Sequence, residues 1–229
     1  MYVQRARAFF RLVFAGMTAL GIGCRPPESG APAASEPSQA MSPAQQQAEA
    51  CAAEASRLYQ EGKLDEAVAK ASEAVALHSG CAAAYEARGA AYLDKKDLSR
   101  ALADFTEASQ WEPRNGRLDY RKGLVRMELR EFALAETLFS QAMSKGYTNP
   151  LVLLDCGKAC VETGQYPKAF NALERALEND PGFAEVYVVR GKLHLRTRQR
   201  AAAAADFATA RRLGLDIGDD GEPRQTKKP

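Results

Sequence analysis

Gly89, Gly123, Gly157 and Gly191 stand 34 residues apart. Twelve residues after each comes an alanine: Ala101, Ala135, Ala169 and Ala203. Sixteen after each comes a large apolar residue: Phe105, Phe139, Leu173 and Phe207. Three further on stands another alanine, at Ala108, Ala142, Ala176 and Ala210, and one period earlier Ala55, Ala67, Ala71 and Ala74 form a fainter copy. Self-similarity at a fixed period of this length restricts a chain to stacked copies of one small unit. With the glycine as eighth residue, the units are 48–81, 82–115, 116–149, 150–183 and 184–217, abutting without insertion.

Inside each unit the apolar residues recur at helical spacing. Turn residues break the pattern in mid-unit, at Glu61-Gly62-Lys63, Lys95-Lys96-Asp97 and Thr163-Gly164-Gln165. They break it again near the unit's end, at Ser79-Gly80, Glu112-Pro113, Lys145-Gly146 and Asp180-Pro181-Gly182. Each unit is therefore expected to be a helix, a tight turn and a second helix. Glycine and the first alanine are small where two helices cross, which lets the backbones approach. One helix pair cannot bury its apolar face alone, whereas stacked pairs bury a continuous core and curve around a groove. An Ala-rich four-helix bundle is the competing architecture, but it does not require a 34-residue period.

The first helices resemble those of the tetratricopeptide repeat family, with its W-x2-L-G-x2-Y signature. Tyr85-x2-Arg88-Gly89-x2-Tyr92 is the nearest copy, and Tyr187-x2-Arg190-Gly191-x2-His194 is next. Leu153, Cys156, Gly157 and Cys160 hold the same positions in unit 4, and Pro113 and Pro181 fall at the family's terminal proline. The resemblance implies an all-α solenoid of five units forming a right-handed superhelix over 48–217. Unit 3 departs from it, because Asp119, Lys122 and Arg126 occupy usually apolar positions. Asp119 and Lys122 are spaced to pair along one helix; otherwise this is a soft spot. Residues 218–229 are polar and are expected to be a disordered tail, leaving Ala201, Ala204, Ala205 and Ala208 on an exposed end face.

The N-terminus has a different character. Arg5, Arg7 and Arg11 precede a short apolar stretch from Leu12 to Gly23, followed by Cys24. A basic segment followed by about a dozen apolar residues is a secretory signal pattern. The segment Leu20-Gly21-Ile22-Gly23-Cys24 resembles a bacterial lipoprotein signal, although Gly21 stands where a large aliphatic residue is usual. The resemblance implies cleavage after residue 23, acylation of Cys24 and membrane attachment. Arg25 in second place of the mature chain favours an outer-membrane lipoprotein facing the periplasm. An ordinary signal with an incidental cysteine is the alternative. Residues 24–47 carry Pro26, Pro27, Pro32, Pro37 and Pro43 and are expected to form a disordered tether. Several acyl chains anchor stably where one binds marginally.

Charge excludes one class of partner. The formal charge is +2, with 31 basic and 29 acidic residues. Taking the three signal arginines from those 31 leaves 28 against 29, so no basic excess attracts nucleic acid. No nucleophile–base arrangement, phosphate loop or zinc motif is present in the sequence, so neither catalysis, cofactor nor metal is expected. Cys51 and Cys81 fall at ends of the two helices of unit 1 that meet in a hairpin, and an exported chain permits a disulfide there. Cys156 and Cys160 occupy core positions and are expected to be buried thiols.

Function is then expected on the groove. In the related repeats the concave face is lined by six positions of each first helix. Carried over, units 1 and 2 are small and acidic there, with Glu49, Ala52, Ala53, Ser56 and Ala83 among the residues. Units 3 to 5 combine apolar area with positive charge, through Arg117, Tyr120, Arg121, Leu124, Met127, Leu151, Leu154, Lys158, Val188, Lys192 and Leu195. These eleven are the candidate partner-binding residues, suited to an amphipathic segment bearing acidic groups. Alternatively, Leu154 and Val188 pack between units and the cations are merely solvated. The expected function is a non-catalytic scaffold for a protein or peptide partner at the bacterial envelope. The whole resembles bacterial repeat lipoproteins, which include pilotins for type IV pilus secretins and adaptors for cell-wall enzymes. A self-assembling homo-oligomeric subunit, or a repeat adaptor without lipid, is the alternative.

Overall fold

The computed structural model describes residues 41–222. The expected signal sequence, Cys24, the tether up to residue 40 and the tail from residue 223 lie outside the described residues. Within them are ten α-helices: α1 (Pro43–Gln60), α2 (Leu64–Leu77), α3 (Ala82–Asp94), α4 (Leu98–Trp111), α5 (Gly116–Glu128), α6 (Phe132–Ser144), α7 (Pro150–Glu162), α8 (Tyr166–Asn179), α9 (Ala184–Arg196) and α10 (Arg200–Arg212). None of the described helices is long and apolar enough to cross a membrane. Each odd-numbered helix packs on the even-numbered helix that follows, and that one packs on the next odd-numbered helix. The five expected pairs thus stack in chain order as an all-α solenoid.

The repeated residues do what their sizes predict. Phe105, Phe139, Leu173 and Phe207 are all fully or almost fully buried, as are the alanines on either side of them. A Cβ on Gly89 would lie 2.9 Å from the Phe105 ring, on Gly157 2.9 Å from Leu173, and on Gly191 2.5 Å from the Phe207 ring. The glycine is the slot into which the second helix inserts its largest side chain. Burying such a side chain contributes roughly 1.5–3 kcal/mol. Unit 1 has a smaller version, with Ala55 and Ala71 buried together against Ala87.

The turn inside every unit closes in one way. The residue two places after each first helix has a left-handed backbone: Gly62 (φ +76°), Lys96 (+60°), Arg130 (+60°), Gly164 (+74°) and Arg198 (+63°). This ends one helix and aims the chain into the next, as left-handed C-caps do.

The stack is longer at both ends than the repeat predicts. Residues 43–47, expected in the tether, are the first turns of α1. Ser42 caps them: Gln45 N–H donates to Ser42 Oγ at 3.2 Å, and Ser42 N–H donates to Gln45 Oε1 at 2.8 Å. This reciprocal pair with Pro43 at the first helical position is a strong start signal. At the other end, residues 218–222, expected to be disordered, fold back on unit 5. Ile217 is buried against Ala203, Phe207 and Ala210. Gly221 is buried so close to Phe207 that a Cβ there would lie 2.5 Å from the ring. Arg211 Nη1 donates to Asp219 at 2.9 Å and Lys192 Nζ to Glu222 at 2.8 Å. The alanines 201, 204, 205 and 208 remain exposed on α10, as expected.

The charged positions of unit 3 are ion-paired, although Asp119 Oδ2 lacks a hydrogen bond of good geometry. Asp119 is buried, yet Lys122 Nζ lies 2.9 Å from Oδ1 and Lys145 Nζ 2.6 Å from Oδ2. Arg126 pairs with Glu131. The expected Cys51–Cys81 bond is not formed in this structure. Both are free thiols buried in one cluster with Ala48, Ala52, Ala74 and Ala84. Burial, and then the charge of Glu73, push the Cys51 pKa up. Cys156 and Cys160 are buried free thiols, as expected; hydrogen bonding between them, with burial, pushes Cys160 up.

Candidate functional site

The first helices of successive units touch one another along the whole series, α1 to α3, α3 to α5, α5 to α7 and α7 to α9. Among the described residues the backbones of successive second helices stay apart, and between α6 and α8 only side chains reach across, with Lys168 Nζ 3.1 Å from Glu136 Oε1. A row that stays in contact while its counterpart spreads apart is the shorter, inner side of a curved stack. The odd-numbered helices therefore form one continuous inner face, where the candidate residues were expected.

The candidates divide on that face. Leu151 and Leu195 are exposed, at 41% and 39%. Leu124 and Met127 are half-buried and pack on the core shared by units 3 to 5, and Val188 is half-buried beside Phe207. Two candidates are not available. Leu154 is fully buried and Tyr120 is 7% exposed. Tyr120 turns inward because its hydroxyl finds an acceptor there: it donates to Asp155 Oδ2 at 3.0 Å. Its ring packs between Phe139 and Tyr147, with centroids 5.7 and 5.6 Å away. Burial, and then the Asp155 charge, push the Tyr120 pKa far up.

The positive side chains are not a free basic surface. Arg117 Nη2 donates to Glu86 Oε2 at 2.6 Å, and Arg121 Nε lies 3.9 Å from the other oxygen of Glu86. Arg121 Nε is buried with no hydrogen-bond partner. Arg121 is also engaged with Tyr59, whose pKa is raised first by burial and then by its hydrogen bond to Asp94. Lys158 Nζ is 2.9 Å from Asp155 Oδ1, and Lys192 reaches Glu222. Arg196 Nη2 bonds Glu162 Oε1 at 2.9 Å. Exposed pairs of this kind are worth about 0–1 kcal/mol and exchange readily. Lys192 can thus trade the exposed Glu222 for a carboxylate from a partner, whereas Arg117 and Lys158 balance the largely buried Glu86 and Asp155, whose side chains are 13% and 12% exposed.

The model of the tetratricopeptide repeat matches residues 52–115, 120–182 and 154–214, which is more than half of the chain. The chain belongs to the tetratricopeptide repeat family. Solved structures with the same fold include MamA from Desulfovibrio magneticus RS-1, at 21% identity and a TM-score of 0.68 over 76% of this chain and 97% of that one. PilW, described as a type IV pilus biogenesis factor, matches at 18% identity and a TM-score of 0.68, over 72% and 77%. YrrB, described as having an unusual peptide-binding site, matches at 24% identity and a TM-score of 0.60, over 70% and 82%. No curated protein sequence matches. Tetratricopeptide repeat proteins are interaction modules in general, and a protein or peptide partner is what this repeat array implies.

The sequence places Glu86 and Asp155 among the groove positions of units 2 and 4 without pairing them with the inner cations, and it gives Glu222 no role. Glu86 stands three residues after Ala83 and Asp155 three before Lys158, so helical spacing was a usable signal for both; Glu222 lies beyond the last repeat and had none. Among the described residues no group of three or more His, Cys, Asp or Glu side chains is placed to hold a metal ion. The reading also passed over a cavity of about 540 Å³ at the other end of the inner face, bordered by α1, the start of α3 and the end of α4.

Proposed function

We propose that this protein is a scaffold of the bacterial envelope, held to the outer membrane by acyl chains on Cys24 after loss of residues 1–23. In this reading the inner face of units 3 to 5 binds an amphipathic segment of a partner protein, as part of assembling an envelope machine such as a pilus or secretion complex. The observation that carries it is the continuous inner face with Leu151 and Leu195 open to solvent and with cations, among them Lys192 on the exposed Glu222, on the same row of helices. An apolar strip rimmed by charge is what an amphipathic segment needs. The fold shared with PilW and with the peptide-binding YrrB supports the reading, and the arginine-led apolar stretch ending at Cys24 supports the anchor.

Photo-crosslinking residues placed at 151 and 195, compared with position 134 on the outer helix α6, test the groove. Adducts with one partner from 151 and 195 but not from 134 are expected; equal adducts from all three remove the proposal. Labelled palmitate is expected in the wild type and not in Cys24→Ser, and label retained by that variant removes the anchor.

A second reading, self-association, is favoured by the exposed alanines of α10. A fragment starting at Met41 that sediments as a concentration-independent monomer would dismiss it.

A further inference from the structure

The cavity at the unit 1 end differs in chemistry from the rest of the inner face. Its floor is small and apolar, from Ala52 and Ala82. One wall is Trp111, the single tryptophan of the sequence, which is 54% exposed. The ring lies against the α2–α3 turn, 3.4 Å from where a Cβ on Gly80 would stand, while the His78 imidazole packs closer on the same glycine, at 2.9 Å. Glu49 and Glu112 border the opening. Glu49 has no ion pair or hydrogen bond among the described residues, and Glu112 only accepts from Asn115 Nδ2 at 2.7 Å. No lysine or arginine lines the cavity. On units 3 to 5, by contrast, Asp155, Glu162 and Glu222 each already face a cation.

We propose that this cavity receives an arginine or lysine side chain from a segment of a partner protein. The aliphatic stem would lie on the alanine floor, as long basic side chains cover apolar surface. Its charged head would sit over the Trp111 face, which attracts cations, and toward the two carboxylates, which supply charge-assisted hydrogen bonds. The one imidazole of the lining is His78, and neither acid is paired with a lysine or arginine, so each can take a cation from outside. This inference shares no residue with the groove of units 3 to 5 and stands without it.

Because Trp111 is the single tryptophan, its emission reports on the cavity alone. The full chain is titrated to millimolar levels with acetyl-Ala-Arg-Ala-Lys-Ala-amide and, separately, with acetyl-Ala-Gln-Ala-Gln-Ala-amide. A saturable change is expected with the basic peptide only, weakened by added salt and weakened about tenfold or more in Glu49→Gln/Glu112→Gln. Both glutamates are exposed, and an unchanged melting curve checks that the variant folds. No saturable response, an equal response to the glutamine peptide, or unchanged affinity in the double variant overturns the proposal. The same double variant is expected to keep its crosslinks from positions 151 and 195, which separates this outcome from failure of the groove.

Discussion

Arg88 and Asp104 meet side-on: Nε donates to Oδ2 at 2.9 Å and Nη2 to Oδ1 at 2.8 Å. The arrangement returns three repeats later, where Arg190 meets Asp206 at 2.9 and 2.7 Å. Each guanidinium also lies 5.4 Å from the ring centre of the tyrosine three residues before it, Tyr85 or Tyr187. Units 2 and 5 thus join their two helices with a two-pronged ion pair beside the glycine slot. Because Asp104 is buried, removing one partner strands the other. Asp104→Ala is expected to lower stability by roughly 2–4 kcal/mol, while Arg88→Met/Asp104→Leu stays within about 1 kcal/mol of wild type. Urea unfolding of Arg88→Met, Asp104→Leu and the double variant gives the coupling.

Gly89 tests the slot. On an open helix, Gly→Ala gains about 1 kcal/mol. Here the new Cβ meets Phe105 and the Asp104 Cβ, so Gly89→Ala is expected to cost roughly 1–3 kcal/mol. Combined with Phe105→Leu, the total loss in a thermal melt should fall short of the sum of the two single losses.

Three units carry a lysine or arginine in the left-handed turn where the other two carry glycine. That backbone costs a side-chain-bearing residue roughly 1–2 kcal/mol. Lys96→Gly, Arg130→Gly and Arg198→Gly are each expected to raise the urea midpoint slightly or leave it unchanged, and Gly164→Ala to lower it. A fall in all three glycine variants would contradict this account of the turn.

Acid should act through Asp119. Burial pushes its carboxyl up, but the hydrogen bonds and charges of Lys145 and Lys122 outweigh burial and leave its pKa below the ordinary value. A depressed folded pKa stabilises the fold above the unfolded value of about 3.9, and that contribution is lost as pH falls below it. Asp119→Asn is therefore expected to be less stable than wild type at pH 7, with the gap narrowing below about pH 4. Stability measured from pH 7 down to pH 2.5 (roughly the span of the titration) decides it; a constant gap would mean that Asp119 contributes shape and not charge.

The period announced the fold because glycine and the residue sixteen places on are two halves of one contact, repeated four times. What did not show was anything set by neighbours outside the repeat. Tyr120 and Leu154 hold positions that face the groove in related repeats, and here both are turned into the core, Tyr120 by a carboxylate one unit away. The positive strip of units 3 to 5 was visible as arginines and lysines, but its neutralisation by Glu86, Asp155 and Glu222 depends on distances between helices. The Cys51–Cys81 pairing placed two side chains in the right cluster, yet in this structure both remain free thiols. Ser42-Pro43-Ala44-Gln45 was a legible helix start that the surrounding prolines disguised. The segment after Leu213 looked polar on average, and an average hides one isoleucine and one glycine that fit a single ring.

That ring, Phe207, has Gly191 on one side and Gly221 on the other. Any further module appended beyond α10 would first have to lift the returning segment away and find a new neighbour for Ile217. Among the described residues the last pair thus carries its own lid, drawn from the segment that follows it.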